Sequence, residues 1–164
     1  MAEEGRALSL WWDAGCGEMV RDGKYQTGRF TDELVDGCLQ MIEVWKPAPA
    51  PTWVTCIPSL RHPELVPDFA RKLAVRMNLS FVPCLKKGRQ NEEQKHMQNS
   101  YQQAKNLDGV FEVDVNSMRE GPVLLLDDMV DSRWTFTIAA ALLRQAGCPT
   151  VLPLALAVNS SRAG

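Results

Sequence analysis

The chain has 164 residues, 45% of them apolar and 23% charged, which excludes a disordered or fibrous polymer and suits one compact domain that buries about two-thirds of its unfolded surface. No apolar run nears the ~20 residues that span a bilayer, the longest being Val151 to Val158, and the N-terminus lacks the basic-then-apolar pattern of a signal peptide, so a soluble, cytoplasmic protein without membrane contact is expected. The net charge of −2 conceals a segregation: 9 acids and 5 bases over residues 1–58, 4 acids and 9 bases over 59–105, 7 acids and 4 bases over 106–164.

Residues 30–45 place Leu34, Val35, Cys38, Leu39, Met41, Ile42 and Trp45 at helical spacing behind a Thr31/Asp32 cap. The PAPAP stretch at 47–51 cannot continue that helix, because proline lacks the amide donor, and reads as a stiff connector. From there strands and helices alternate. Trp53 to Ile57 reads as a buried strand, Pro58 to His62 as a loop, and the segment up to Met77 as a helix with Leu65, Phe69, Leu73 and Met77 on one face. Phe81 to Leu85 reads as a second strand. Residues 86–106, rich in Lys, Gln and Asn, read as an exposed loop and a weak helix with Met97 and Tyr101 as its apolar contacts. Val110 to Val113 reads as a short strand and Pro122 to Leu126 as a strong one. Thr135 to Ala146 is a helix closed by Gly147, and Thr150 to Val158 is the last strand, with Pro153 pointing to a sheet edge or bulge. Continuous apolar strands separated by helices indicate an α/β fold with a mostly parallel sheet. Ligands of such sheets bind beyond the carboxyl ends of the strands, where the loops at 58–62, 86–91 and 127–135 should converge. The cysteines, Cys16, Cys38, Cys56, Cys84 and Cys148, are scattered without CxxC spacing, which argues for reduced thiols and against a disulfide framework or a zinc site.

Val123 to Thr135, VLLLDDMVDSRWT, carries the most chemistry. An apolar strand delivers two acids, then a short polar loop enters a helix whose unpaired N-terminal amides and partial positive charge suit a phosphate. Ser132 and Thr135 add hydroxyls, and Asp127 and Asp128 suit sugar hydroxyls or Mg²⁺ held through water. A Walker B reading of the same acids requires an upstream phosphate loop. The nearest candidate, Gly17 to Tyr25, has the wrong spacing and ends Gly23-Lys24-Tyr25. A receiver domain would carry its acids on the first strand, whereas only 36 residues follow Asp128. The alternative without function is that the acids cap an ordinary crossover helix.

VLLLDDMVDSRWT resembles the phosphoribosyl-diphosphate (PRPP) segment of type I phosphoribosyltransferases: four apolar residues, two acids and a Thr-Thr-Gly-x-Thr loop. WVTCIPSLRHPELVPDFA resembles that family's first strand and pyrophosphate loop, and KKGRQNEEQK with NLDGVFEV its mobile-loop region, as in ComF-type members. A narrower resemblance is to the phosphoribosyltransferase-like C-terminal domain of bacterial RecQ-type DNA helicases, carried by the segments at 53–59, 65–70 and 127–135. It implies a five-stranded, mostly parallel sheet flanked by helices, with a helical hood over residues 1–46, the connector 47–51 and a core over 52–164. It also implies a helicase accessory domain, as a fragment or a stand-alone chain, that binds PRPP or a nucleotide. Its partners would be helicase motor domains and, through the helicase, DNA in repair and recombination; a homodimer stays open.

The implied ribose-binding acids are Asp127 and Asp128, which would also hold Mg²⁺ indirectly with PRPP; zinc and haem are not implied. Asp131, Ser132, Arg133, Trp134 and Thr135 form the implied phosphate loop, Ser59, Arg61 and His62 the pyrophosphate loop, and Lys86, Lys87 and Arg89 the mobile loop. Asp131 stands where the family has its first Thr, and Arg133 where a glycine lets backbone approach the phosphate. These departures favour binding with weak or no transfer. An active transferase and an interaction module with a vestigial pocket remain the alternatives, the latter favoured by the basic middle segment.

Overall fold

The computed structural model describes residues 6–10, 16–59, 62–87, 104–105, 111–130 and 134–158. Five strands form the main sheet: β1 (Arg6–Leu10), β2 (Trp53–Cys56), β3 (Ser80–Phe81), β7 (Val123–Val130) and β8 (Val151–Val158), in the order β1-β8-β7-β2-β3, every pairing parallel. Three short strands, β4 (Leu85–Lys87), β5 (Ala104–Lys105) and β6 (Phe111–Val113), form a second, antiparallel sheet with β6 in the middle. The helices are α1 (Cys16–Asp22), running into a π-helical segment at Gly23–Thr27, α2 (Asp32–Trp45), α3 (Leu65–Met77) and α4 (Trp134–Gln145). Among the described residues no helix is long and apolar enough to cross a membrane.

Alternation along the strands splits the core into two layers. Val54, Cys56, Leu124, Leu126, Leu152, Leu154 and Leu156 pack with α1, α2 and α3 on one face. Trp53, Val123, Leu125 and Val151 pack with α4, Phe111 and Val113 on the other. From the central pair β2 and β7, the chain crosses through α3 to β3 on one side and through α4 to β8 on the other. Crossovers of one hand that leave in opposite directions place their helices on opposite faces. The crevice between the carboxyl ends of β2 and β7 is therefore the point where the strand order reverses.

Four expectations change. The strand expected over Phe81 to Leu85 is two strands in different sheets, because Pro83 cannot donate to a ladder: the Cys84 amide donates to the Val82 carbonyl (2.9 Å) in a tight turn around it. The strand expected at Val110 to Val113 belongs to the antiparallel sheet rather than the parallel one. Within the stretch expected to be loop and weak helix, residues 85–87 and 104–105 are strands, while Met97 and Tyr101 lie outside the described residues. Pro153 is in an interior strand, not at an edge. Its described pairing is to Leu125 of β7, and the ladder with β1 starts only at Leu154, so its missing amide falls beyond the end of β1.

Candidate functional site

The site is assembled where β2 stops and β7 continues. The β2 ladder ends with Cys56 opposite Leu126, extended by the Ile57 amide to the Leu126 carbonyl (2.9 Å), whereas β7 stays paired with β8 as far as Val130. Asp127 and Asp128 thus lie inside β7, beyond its last β2 neighbour, in the crevice. The Asp128 amide donates to Asp127 Oδ1 at 2.8 Å. Alternation sends Asp128 to the face of Leu124 and Leu126, beneath α1, α2 and α3.

From that face comes a partner that sequence reasoning missed. Lys24 Nζ lies 3.0 Å from Asp128 Oδ2, with the two side chains only 15% and 11% exposed. Lys24 belongs to the π-helical segment, a wound form of the chain that recurs at functional sites. Gly23, buried at its start, is required there: a Cβ would stand 2.4 Å from a Phe30 ring carbon and 2.7 Å from the Arg29 carbonyl oxygen. Phe30 in turn meets Phe69 of α3 edge to face, at 5.8 Å between ring centres, which ties the segment to the core. Next to Lys24, the Tyr25 ring packs edge to face on His62, at 6.2 Å. Two successive residues therefore reach the acid pair and the loop after β2. The only sequence signal was the Gly23-Lys24-Tyr25 triplet, which fits no phosphate-loop spacing and is explained by this packing instead.

The loop after β2 is held by the His62 amide donating to Ser59 Oγ at 3.1 Å. Thr135 lies in the first turn of α4, partly exposed, and Trp134 is the first residue of that helix. Lys86 and Lys87 are on β4 in the other sheet, Lys86 exposed and Lys87 with its ammonium 5.0 Å from the centre of the Phe111 ring. Arg61, Arg89, Asp131, Ser132 and Arg133 lie outside the described residues.

Electrostatically the site is under tension. Burial, and then the charge of Asp128, push the Asp127 carboxyl well above the ordinary carboxylate range; the Asp128 amide and Lys24 pull it down. Beneath it, the Cys56 thiol is pushed up to about 12, by burial first and Asp127 second, and Cys84 to about 11 by burial. Neither is a nucleophile at neutral pH. Among the described residues no group of three His, Cys, Asp or Glu could hold a metal. The acid pair offers two carboxylates, one of them already against an ammonium, which does not fit an octahedral Mg²⁺ held by the protein.

This architecture has counterparts of known structure. The chain superposes on adenine phosphoribosyltransferase from Saccharomyces cerevisiae, complexed with an imino-altritol bisphosphate and adenine, with TM-score 0.57 and 19% identity over 81% of this chain and 70% of that one. It superposes on the adenine phosphoribosyltransferase of Thermoanaerobacter pseudethanolicus with TM-score 0.53 and 16% identity, over 85% and 83%. The fold is type I phosphoribosyltransferase-like. No protein-family model and no curated protein sequence matches the chain.

Proposed function

We propose that the domain binds a phosphoribosyl ligand at the carboxyl ends of β2 and β7, with weak or no transferase activity. The observation that carries this reading is the Asp127-Asp128 pair, set in the strand-order reversal of a phosphoribosyltransferase-like fold. In this reading the ribose hydroxyls donate to the two carboxyl groups, and the 5′-phosphate takes the amides and hydroxyls of residues 131–135 at the start of α4. Transfer would additionally require stabilising an oxocarbenium-like ribosyl centre while diphosphate departs. Asp131 and Arg133, in place of the family's threonine and glycine, argue against that step. The three segments at 53–59, 65–70 and 127–135 further support an accessory role beside a RecQ-type helicase motor. Stimulation of ATP-dependent unwinding by such a motor when the domain is added would support that assignment, and no effect on unwinding would count against it.

Calorimetric titration with PRPP, ribose 5-phosphate and adenosine 5′-monophosphate (AMP) tests the binding. Saturable binding that Asp127→Asn and Asp128→Asn weaken is the expected result; its absence at millimolar ligand overturns the reading. Pyrophosphate release across a panel of purine bases, measured against the same variants, separates the binder from an active transferase.

A further inference from the structure

Two adjacent carboxyl groups in a mostly buried crevice concentrate negative charge exactly where an anionic ligand would have to enter. Such charge can be offset by a divalent cation that arrives with the ligand, or by a cation built into the chain. Here an ammonium is already in contact, with Lys24 Nζ 3.0 Å from Asp128 Oδ2. Its placement is not that of a loose surface lysine. The backbone on its amino side is packed too closely for a Cβ at Gly23, and the residue on its other side is seated on His62. One ammonium contact leaves further lone pairs on both carboxyl groups, enough to accept from the two hydroxyls of a ribose.

We propose that Lys24 is the resident cation of this site, a positioning residue that neutralises the acid pair, so that the preferred ligand is a nucleoside monophosphate bound without a divalent metal. The inference rests on the phosphoribosyl reading above and sharpens its ligand class: a diphosphate brings its own metal to an acid pair, whereas a monophosphate needs the pair neutralised beforehand. Lys24 holds Asp128 in place, and Tyr25 and His62 fix the segment that carries it.

The test is AMP affinity by calorimetry at constant ionic strength, in EDTA and in millimolar Mg²⁺. Wild-type affinity should agree in the two buffers within about threefold, and Lys24→Met should lose at least about tenfold in EDTA. Mg²⁺ should recover part of that loss, and Lys24→Arg should retain most of the wild-type affinity in EDTA. A purely structural lysine would not make affinity metal-dependent. Wild-type binding that requires Mg²⁺, or Lys24→Met binding as well as wild type in EDTA, overturns the inference while leaving the phosphoribosyl reading standing. Failure of the wild type to bind AMP in either buffer removes that reading and the inference with it. Should Lys24→Met not fold, the wild-type comparison between buffers still decides.

Discussion

The two ends of the main sheet are built on different physics. At the amino ends of the strands, neutral groups close every printed contact: the Thr52 amide donates to the Pro122 carbonyl (2.8 Å), the Thr52 hydroxyl to Glu120 (2.7 Å), the Trp53 indole to Gly121 (3.0 Å) and the Val123 amide to Thr150 (3.0 Å). At the carboxyl ends two acids and a lysine crowd a crevice. Neutral hydrogen bonds each contribute about 0.5–1.5 kcal/mol and respond little to pH or salt. Like charges brought together out of water cost stability, and they persist where a ligand makes use of them. The lower end holds the fold and the upper end gives up stability for chemistry.

The largest effects should therefore come from below and leave binding alone. Trp53 is fully buried and hydrogen-bonded, so Trp53→Ala should cost about 3–5 kcal/mol in urea unfolding, with unchanged AMP affinity for the molecules that remain folded. A changed affinity would break the division between the two ends. Gly121, at φ +96°, would place a Cβ 2.3 Å from the Thr52 hydroxyl oxygen. Gly121→Ala should cost about 2–3 kcal/mol, from backbone strain and overpacking together, again without a binding phenotype.

The division also explains what could be read from the sequence. The strands Trp53–Cys56, Val123–Val130 and Val151–Val158 and the helices α2, α3 and α4 are local patterns of apolar period or continuity, legible without the rest of the chain. Asp127 and Asp128 stood out because buried strands rarely carry two acids. What was not legible depends on distant partners. Arg6–Leu10 becomes a strand only by pairing with β8, from the far end of the chain. Lys24 acquires its meaning from Asp128, and Tyr25 from His62, through a π-helical turn with no local sequence signature. Pro83 was legible and misread: a proline inside an apolar run should end a strand.

At the upper end, Lys24→Met leaves a mostly buried carboxylate without its ammonium and should cost about 1.5–3 kcal/mol, the range of a charged hydrogen bond. Combined with Asp128→Asn, the two losses should not add, because the second substitution removes the charge that the first left exposed to burial. Strict additivity in a double-mutant cycle would show that the contact carries no energy.

The smallest effect should have the opposite sign. Burial and the charge of Asp128 hold the folded pKa of Asp127 above the unfolded value of about 4. Between those two values the folded state keeps a proton that the unfolded state has already lost, so stability falls as pH rises through that window and levels off above it. Asp127→Asn removes the titration, while the amide oxygen of asparagine can still accept from the Asp128 amide. The variant should be more stable than wild type at pH 7, by less than any of the losses above, and its unfolding midpoint should vary less between pH 4 and neutrality. Lys24→Met should steepen the same profile, since Lys24 pulls the Asp127 pKa down. A gain in stability paired with a loss of AMP binding would identify Asp127 as a group retained for its ligand at the fold's expense; a profile that matches wild type would show that its burial carries no such cost.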